Sequence, residues 1–170
     1  MTVSTPAPAI PPGTFRLDRE GAWRHEGQEV THPGVLENLY ANLRADEGGH
    51  YLQVGPMRIP VDVDDAPFVV TRVEVLPGRA VGADTLRIHL TDGRDEALDP
   101  SEVWLDPAGT PYCRVKAGRF AARFSVAAWL QLAGLLEEEP GTGRPILVLG
   151  ERRVVLPQQP APGPGRAGSP

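Results

Sequence analysis

At 170 residues, with 41% apolar and 23% charged side chains, the chain has globular composition and the length of one ordinary domain or two small ones. Its net charge of −5 excludes a surface built throughout to hold polyanions, since non-specific nucleic-acid binding rests on many uncompensated bases; a local basic patch stays open. The single cysteine, Cys113, excludes a disulfide framework and a cysteine-based zinc site. No signal-peptide pattern or membrane-length apolar run occurs, so the expectation is a soluble, cytoplasmic protein.

The two ends, 1–12 and 158–170, are rich in Pro, Ala, Gly and Ser and poor in large apolar residues, which predicts disordered tails. Phe15 to Glu29 alternates as a hairpin turning at Glu20-Gly21, with a second turn at Glu26-Gly27. Thr31 is the expected N-cap of a helix with Pro33 in its first turn and an apolar stripe of Leu36, Leu39, Tyr40 and Leu43, ending near Arg44. His50 to Val63 reads as a strand pair bent at Gly55-Pro56. Pro67 removes a ladder donor and forces Ala66 out of the helical region, so the boundary between an N-terminal α+β domain (13–66) and a β-rich C-terminal domain (67–157) falls there.

In the second half, Phe68 to Leu76 and Thr85 to Thr91 are strands, the latter closed by the turn signal Asp92-Gly93. Glu102 to Leu105 carries Trp104, a core anchor like Trp23 and Trp129, and strands Tyr112–Ala117 and Arg119–Phe124 flank Gly118. Ser125 caps a second helix carrying Trp129, Leu132, Ala133 and Leu136. Its three terminal acids, Glu137 to Glu139, oppose the helix dipole and predict fraying into a solvated loop with 140–145. Ile146–Leu149, Gly150 and Val154–Leu156 close the domain. The order from Thr31 to Gly55 recurs from Ser125 to Gly150. The fold class expected is therefore α+β, with two small domains related by duplication of a strand–helix–hairpin unit and a cleft between the copies as the place for a ligand.

The strongest basic cluster is the hairpin about Gly118. A two-residue turn at Ala117-Gly118 pairs Lys116 with Arg119, Arg114 with Ala121 and Tyr112 with Arg123, leaving Cys113, Val115, Phe120, Ala122 and Phe124 on the other face. Arg114, Lys116, Arg119, Arg123 and Tyr112 then form the candidate ligand-binding set. No acid occurs from Pro107 to Leu136, which suits a phosphate group. The alternative is a solvated strand face paired with acids from elsewhere, such as Asp62 or Asp64. The chain has one lysine among its bases; arginine suits bidentate anion recognition, but a GC-rich genome yields the same bias.

Asp62, Asp64 and Asp65 alternate with Val61 and Val63 as a polar strand face more readily than as hard-metal ligands. His25, His32, His50 and His89 share no metal spacing, and no phosphate-loop, dinucleotide or nucleophile-elbow motif occurs. The expectation is no catalytic residue, no metal site, no cofactor and no enzyme activity.

Trp23 to Gly27, Tyr51 to Val54 and above all Val63 to Phe68 (Val-Asp-Asp-Ala-Pro-Phe) resemble the bacterial domain-of-unknown-function 1285 family, with Pro111 to Val115 and Gly118 to Phe124 as a second matching stretch. The resemblance spans most of Phe15 to Leu156. It implies two domains with internal duplication, a C-terminal half loosely like a pleckstrin-homology barrel, no established activity, and a nucleotide-like or nucleic-acid ligand at the domain interface in signalling. Two departures stand out: the family's Ile-Gly-Arg before the first helix is Val30-Thr31-His32 here, and its Thr-Pro-Val-Glu-Lys bend is shortened to Val54–Met57. A ligand that used those bases is bound differently here or not at all. The functional expectation is a two-domain binding module for a nucleotide-like anionic small molecule; the alternative is a protein-interaction adaptor without a small-molecule ligand.

Overall fold

Alternation places Phe15 and Leu17 of β1 (Phe15–Leu17) and Trp23 of β2 (Trp23–His25) on one face, where all three are buried, while Arg16 and Arg24 pair in register on the other. Asp18 holds the connecting turn: its Oδ1 accepts from the Glu20 and Ala22 amides at 3.1 and 2.8 Å, and its Oδ2 from Arg24 Nε at 3.2 Å. A two-residue β3 (Gln28–Glu29) follows. These elements come from a computed structural model describing residues 13–162, so the expectations for 1–12 and 163–170 lie outside the described residues. The chain divides into two units between Asp65 and Ala66, the second running to Pro162.

In the first unit, α1 (Pro33–Asn42) is capped by His32, one residue after the expected Thr31; the imidazole Nδ1 accepts from the Gly34 and Val35 amides at 3.1 and 3.4 Å. Pro33 has no N–H to cap, so the first orphan donors lie within reach of residue 32. Leu39 is the helix's buried residue. Where the sequence predicts helix to near Arg44, the chain turns extended at Leu43 and enters β4 (Leu43–Asp46), because Leu43 pairs with Leu52 and is buried there. β5 (Gly49–Val54) and β6 (Met57–Val63) form the expected hairpin, with Gly55 at φ 56° in its turn. The sheet order is β3-β2-β1-β6-β5-β4, with β1 and β6 parallel.

The second unit holds β7 (Phe68–Leu76), β8 (Thr85–Leu90), β9 (Asp95–Leu98), a 3-10 turn at Pro100–Glu102, β10 (Val103–Leu105), β11 (Pro111–Val115) and β12 (Phe120–Phe124). They make a six-stranded sheet, β10-β11-β12-β7-β8-β9, curled into a half-barrel, with β12 and β7 parallel. Ser125 caps α2 (Val126–Ala133) as expected, its Oγ accepting from the Ala128 amide at 3.1 Å. Helix α2 lies against β7 and β12 through buried Ala128 and Leu132, and Gln131 Oε1 accepts from the Val73 amide at 2.7 Å. The chain then forms a three-stranded antiparallel meander, β13 (Leu136–Glu138), β14 (Pro145–Leu149) and β15 (Arg152–Val155).

β13 replaces the frayed loop expected of Glu137 to Glu139. Leu136 pairs with Leu147, and the acids find bases at the surface: Glu137 meets Arg153 at 2.8 Å and Glu139 meets Arg144 at 3.0 Å. The order helix, strand, strand, strand thus occurs in both units, and the whole is mostly β with two helices, α+β in two parts. Gln158 to Pro162 differ from the disordered tail expected from composition: Gln158 bridges Leu105 in parallel and the Gln159 amide donates to the Leu105 carbonyl at 2.9 Å.

Leu39 and Leu132 have no exposed surface and are the one large side chain that each helix buries. Leu39→Ala and Leu132→Ala are each expected to cost about 2–5 kcal/mol in urea unfolding, the range for a large-to-small core change.

Candidate functional site

The hairpin that carries the basic cluster has the expected strand register: Tyr112 faces Arg123, and Arg114 faces Ala121. Its turn has Ala117 and Gly118 at φ 57° and 80°, the positive values that a tight hairpin of right-twisted strands favours, and the Arg119 amide closes it on the Lys116 carbonyl at 3.2 Å. Lys116 is itself at φ 55°. That breaks the pleat's alternation, and its side chain leaves the face shared by Arg114 and Arg123.

Lys116 Nζ reaches Asp92 Oδ2 at 2.5 Å and Glu96 Oε2 at 3.9 Å, and lies 5.3 Å from the centre of the Phe68 ring. Phe68 pairs with Ala122, on the side of the sheet opposite Arg123. The Lys116 amide also donates to Glu96 Oε1 at 3.0 Å. With its side chain 17% exposed and that of Asp92 6% exposed, the pair ties the β8–β9 turn to the β11–β12 turn.

Tyr112 is interior too. It is 1% exposed and stacks on Trp104 with ring centres 5.6 Å apart and planes at 21°, within a cluster of Ala66, Trp104, Tyr112 and Ala121 against which Ala161 packs. Arg114 is exposed, its guanidinium 5.3 Å from the centre of the Trp104 ring. Arg119 is exposed at the turn, with Nε donating to the Lys116 carbonyl at 3.0 Å, and Arg123 is half-buried. The five candidates therefore do not share one open surface. Arg114 and Arg123 keep the predicted face, Arg119 stands at the turn, Lys116 is drawn to Asp92, and Tyr112 belongs to an aromatic cluster.

Asp64, suggested as a partner for this face, is used elsewhere, taking Arg16 Nε and Nη2 at 2.8 and 2.6 Å. Glu74 takes Arg72 and His89. His89 Nε2, 3.1 Å from Glu74 Oε2, is the main cause holding the Glu74 carboxyl below its ordinary value. Burial pushes His50 down from its ordinary value and pushes the buried Cys113 thiol far up, which leaves the thiol inert. Among the described residues no group of three or more His, Cys, Asp or Glu is placed to hold a metal ion.

The first unit has two open pockets that sequence reasoning did not locate. One, of about 440 Å³, is lined by Asp46, Gly48, His50, Tyr51, Arg58 and Pro60; Arg58 lies 3.7 Å over the Tyr51 ring and pairs with Asp46. The other, about 480 Å³, includes Arg16, Arg24 and Asp62. In both, arginines are bound by carboxylates, Arg24 by Asp18 at 3.2 Å. Their only sequence signal is cross-strand pairing, Gln53 with Arg58 and Arg16 with Arg24, and such pairs are common on any strand surface.

A family model described as "Protein of unknown function (DUF2946)" matches residues 8–141, most of the chain. The chain belongs to that family. Its structural neighbours are proteins of the DUF1285 family, whose motifs the sequence resembles. A DUF1285 family protein from Silicibacter pomeroyi DSS-3 is 26% identical, with a TM-score of 0.69 over 85% of this chain and 79% of that one. A second, from Shewanella baltica OS155, shares the fold at 15% identity, with a TM-score of 0.59 over 72% of this chain and 91% of that one. No curated protein is significantly similar to the chain.

Lys116 and Arg114 are two residues apart yet have opposite roles here. Lys116→Met leaves the Asp92 carboxylate buried without its partner and is expected to cost about 1–3 kcal/mol, less than a fully buried pair because Lys116 is partly wet. Arg114→Met is expected to stay within about 0.5 kcal/mol, as a surface change does. Denaturant unfolding of the two variants checks the contrast.

Proposed function

We propose that the protein is a non-catalytic binding module for a nucleotide-like anionic ligand, with Arg114 as the principal contact and Arg119 beside it, in a regulatory or signalling role in the cytoplasm. The observation that carries this reading is the state of Arg114. It is exposed, no carboxylate among the described residues pairs with it, and its guanidinium lies by the Trp104 ring. A guanidinium resting against an aromatic ring has lost rotamer freedom while its edge N–H groups stay free to grip two oxygens of a phosphate. The acid-free stretch from Pro107 to Leu136 supplies no local competitor. In this reading the curled sheet with α2 is the pleckstrin-homology-like half and the two units are copies of one ancestral unit, for which the recurring helix and meander speak.

Thermal shift of the full chain against nucleotides and inorganic pyrophosphate tests the ligand, because whatever binds only the folded state raises its melting temperature. A shift that shrinks as salt is raised and is mostly lost in Arg114→Ala is expected. A shift unchanged in that variant places the ligand elsewhere.

The second reading, an adaptor that binds a protein partner along a strand edge, is favoured by one observation. β10 lies at the edge of its sheet and takes an extended segment beside it, Gln158 pairing with Leu105.

A further inference from the structure

An edge strand leaves one row of amides and carbonyls unpaired. On β10 that row is met by the chain's own Pro157–Pro162. The Leu105 amide donates to the Pro157 carbonyl at 3.0 Å, the Gln159 amide donates to the Leu105 carbonyl at 2.9 Å, and the strands run parallel. The Trp104 indole N–H then donates to the Pro160 carbonyl at 3.3 Å, and Ala161 settles on the cluster of Trp104, Tyr112, Ala66 and Ala121.

Within the segment the only ladder donor is Gln159. Pro157, Pro160 and Pro162, which have no N–H to give, occupy positions where β10 asks for none. Four of the six residues accept or donate backbone bonds or pair with Leu105, yet Pro157, Gln158, Gln159, Pro160 and Pro162 are all exposed and only Ala161 is half-buried. A strand integral to the sheet buries side chains, as Val103 and Trp104 do. This one is held by its backbone, one indole and one methyl group, which places it at the weak end of local stability.

We propose that the edge of β10, with the Trp104–Tyr112 face beside it, is a docking groove for an extended proline-rich peptide of a partner protein, filled in this chain by its own proline-rich segment. The inference rests on the adaptor reading and supplies its partner class. Backbone pairing to Leu105 gives the affinity. The indole N–H and the apolar cluster select a segment with free carbonyls and small or ring side chains, which is what proline-rich sequence offers. Covalent attachment holds the resident segment at millimolar effective concentration, so it blocks the groove without binding tightly.

The test uses the full chain carrying Gln159→Pro and Ala161→Asp, which removes the segment's one ladder donor and charges its one apolar contact, leaving the groove untouched. The probe is a synthetic peptide of residues 156–170, and the control is the same peptide with Ala at Pro157, Pro160 and Pro162. The variant is expected to stay folded by circular dichroism, to lose protection at Leu105 in hydrogen exchange, and to regain it on adding the peptide. Calorimetric affinity for the peptide should be at least about tenfold above that of the unmodified chain, whose groove is filled, and about tenfold above that for the control. A Trp104→Phe chain, which keeps the ring stack, should exchange its Gln159 amide faster. An unfolded variant, or a Leu105 amide that stays protected, would make the segment part of the fold and overturn the proposal. Failure of both peptides to bind sinks the adaptor reading with it; equal binding of the two leaves the adaptor but removes the proline-rich class.

Discussion

The backbone of β10 cannot be left half-paired against an apolar face, and much of the second unit is arranged around that constraint. The same six-stranded sheet ends at β9 on its other side, and the two edges are handled differently. β9 carries Asp95 and Glu96, and charge on an edge discourages a further strand. β10 is Val-Trp-Leu, with Val103 and Trp104 buried, so charge is unavailable there and the edge is covered by chain. From this follow the parallel pairing of Gln158 with Leu105, the dry environment of the Trp104–Tyr112 stack and the ordered path of a segment with almost no side-chain burial.

A second local decision sets the chemistry of the hairpin next to that edge. Three consecutive residues, Lys116, Ala117 and Gly118, sit at positive φ, two of them without glycine's freedom. The conformation is held because the Lys116 side chain gains Asp92 and Glu96 and its amide donates to Glu96. The lysine is thereby spent on tying two turns together, and the arginine two residues earlier is left at the surface against Trp104. A buried tie and an exposed guanidinium are divided between neighbours that look interchangeable in sequence.

That division explains what the sequence could and could not reveal. The hairpin register of Tyr112 with Arg123 was legible because alternation and a Gly118 turn specify it. The Ser125 cap was legible because hydroxyl capping is local. The inward turn of Lys116 was not, since alternation fixes a face only while the backbone stays extended. Glu137 to Glu139 looked like a frayed helix end, because the strand that makes β13, Pro145–Leu149, lies beyond a loop, and so does the Arg153 that meets Glu137. Thr31 and His32 are adjacent acceptors, and only the placement of Pro33 relative to the first free amides chose the imidazole. Residues 158–162 have the side-chain composition of a tail, whereas what orders them is backbone hydrogen bonding, to which composition is blind.

The covering of β10 is tested most directly by hydrogen exchange of the full chain, read at the amides of Leu105 and Gln159. Both are expected to exchange more slowly than in a free peptide and to open together, well before the amide of Cys113 in the sheet interior. Exchange of Gln159 and Leu105 at the free-peptide rate would show a bare edge and contradict it.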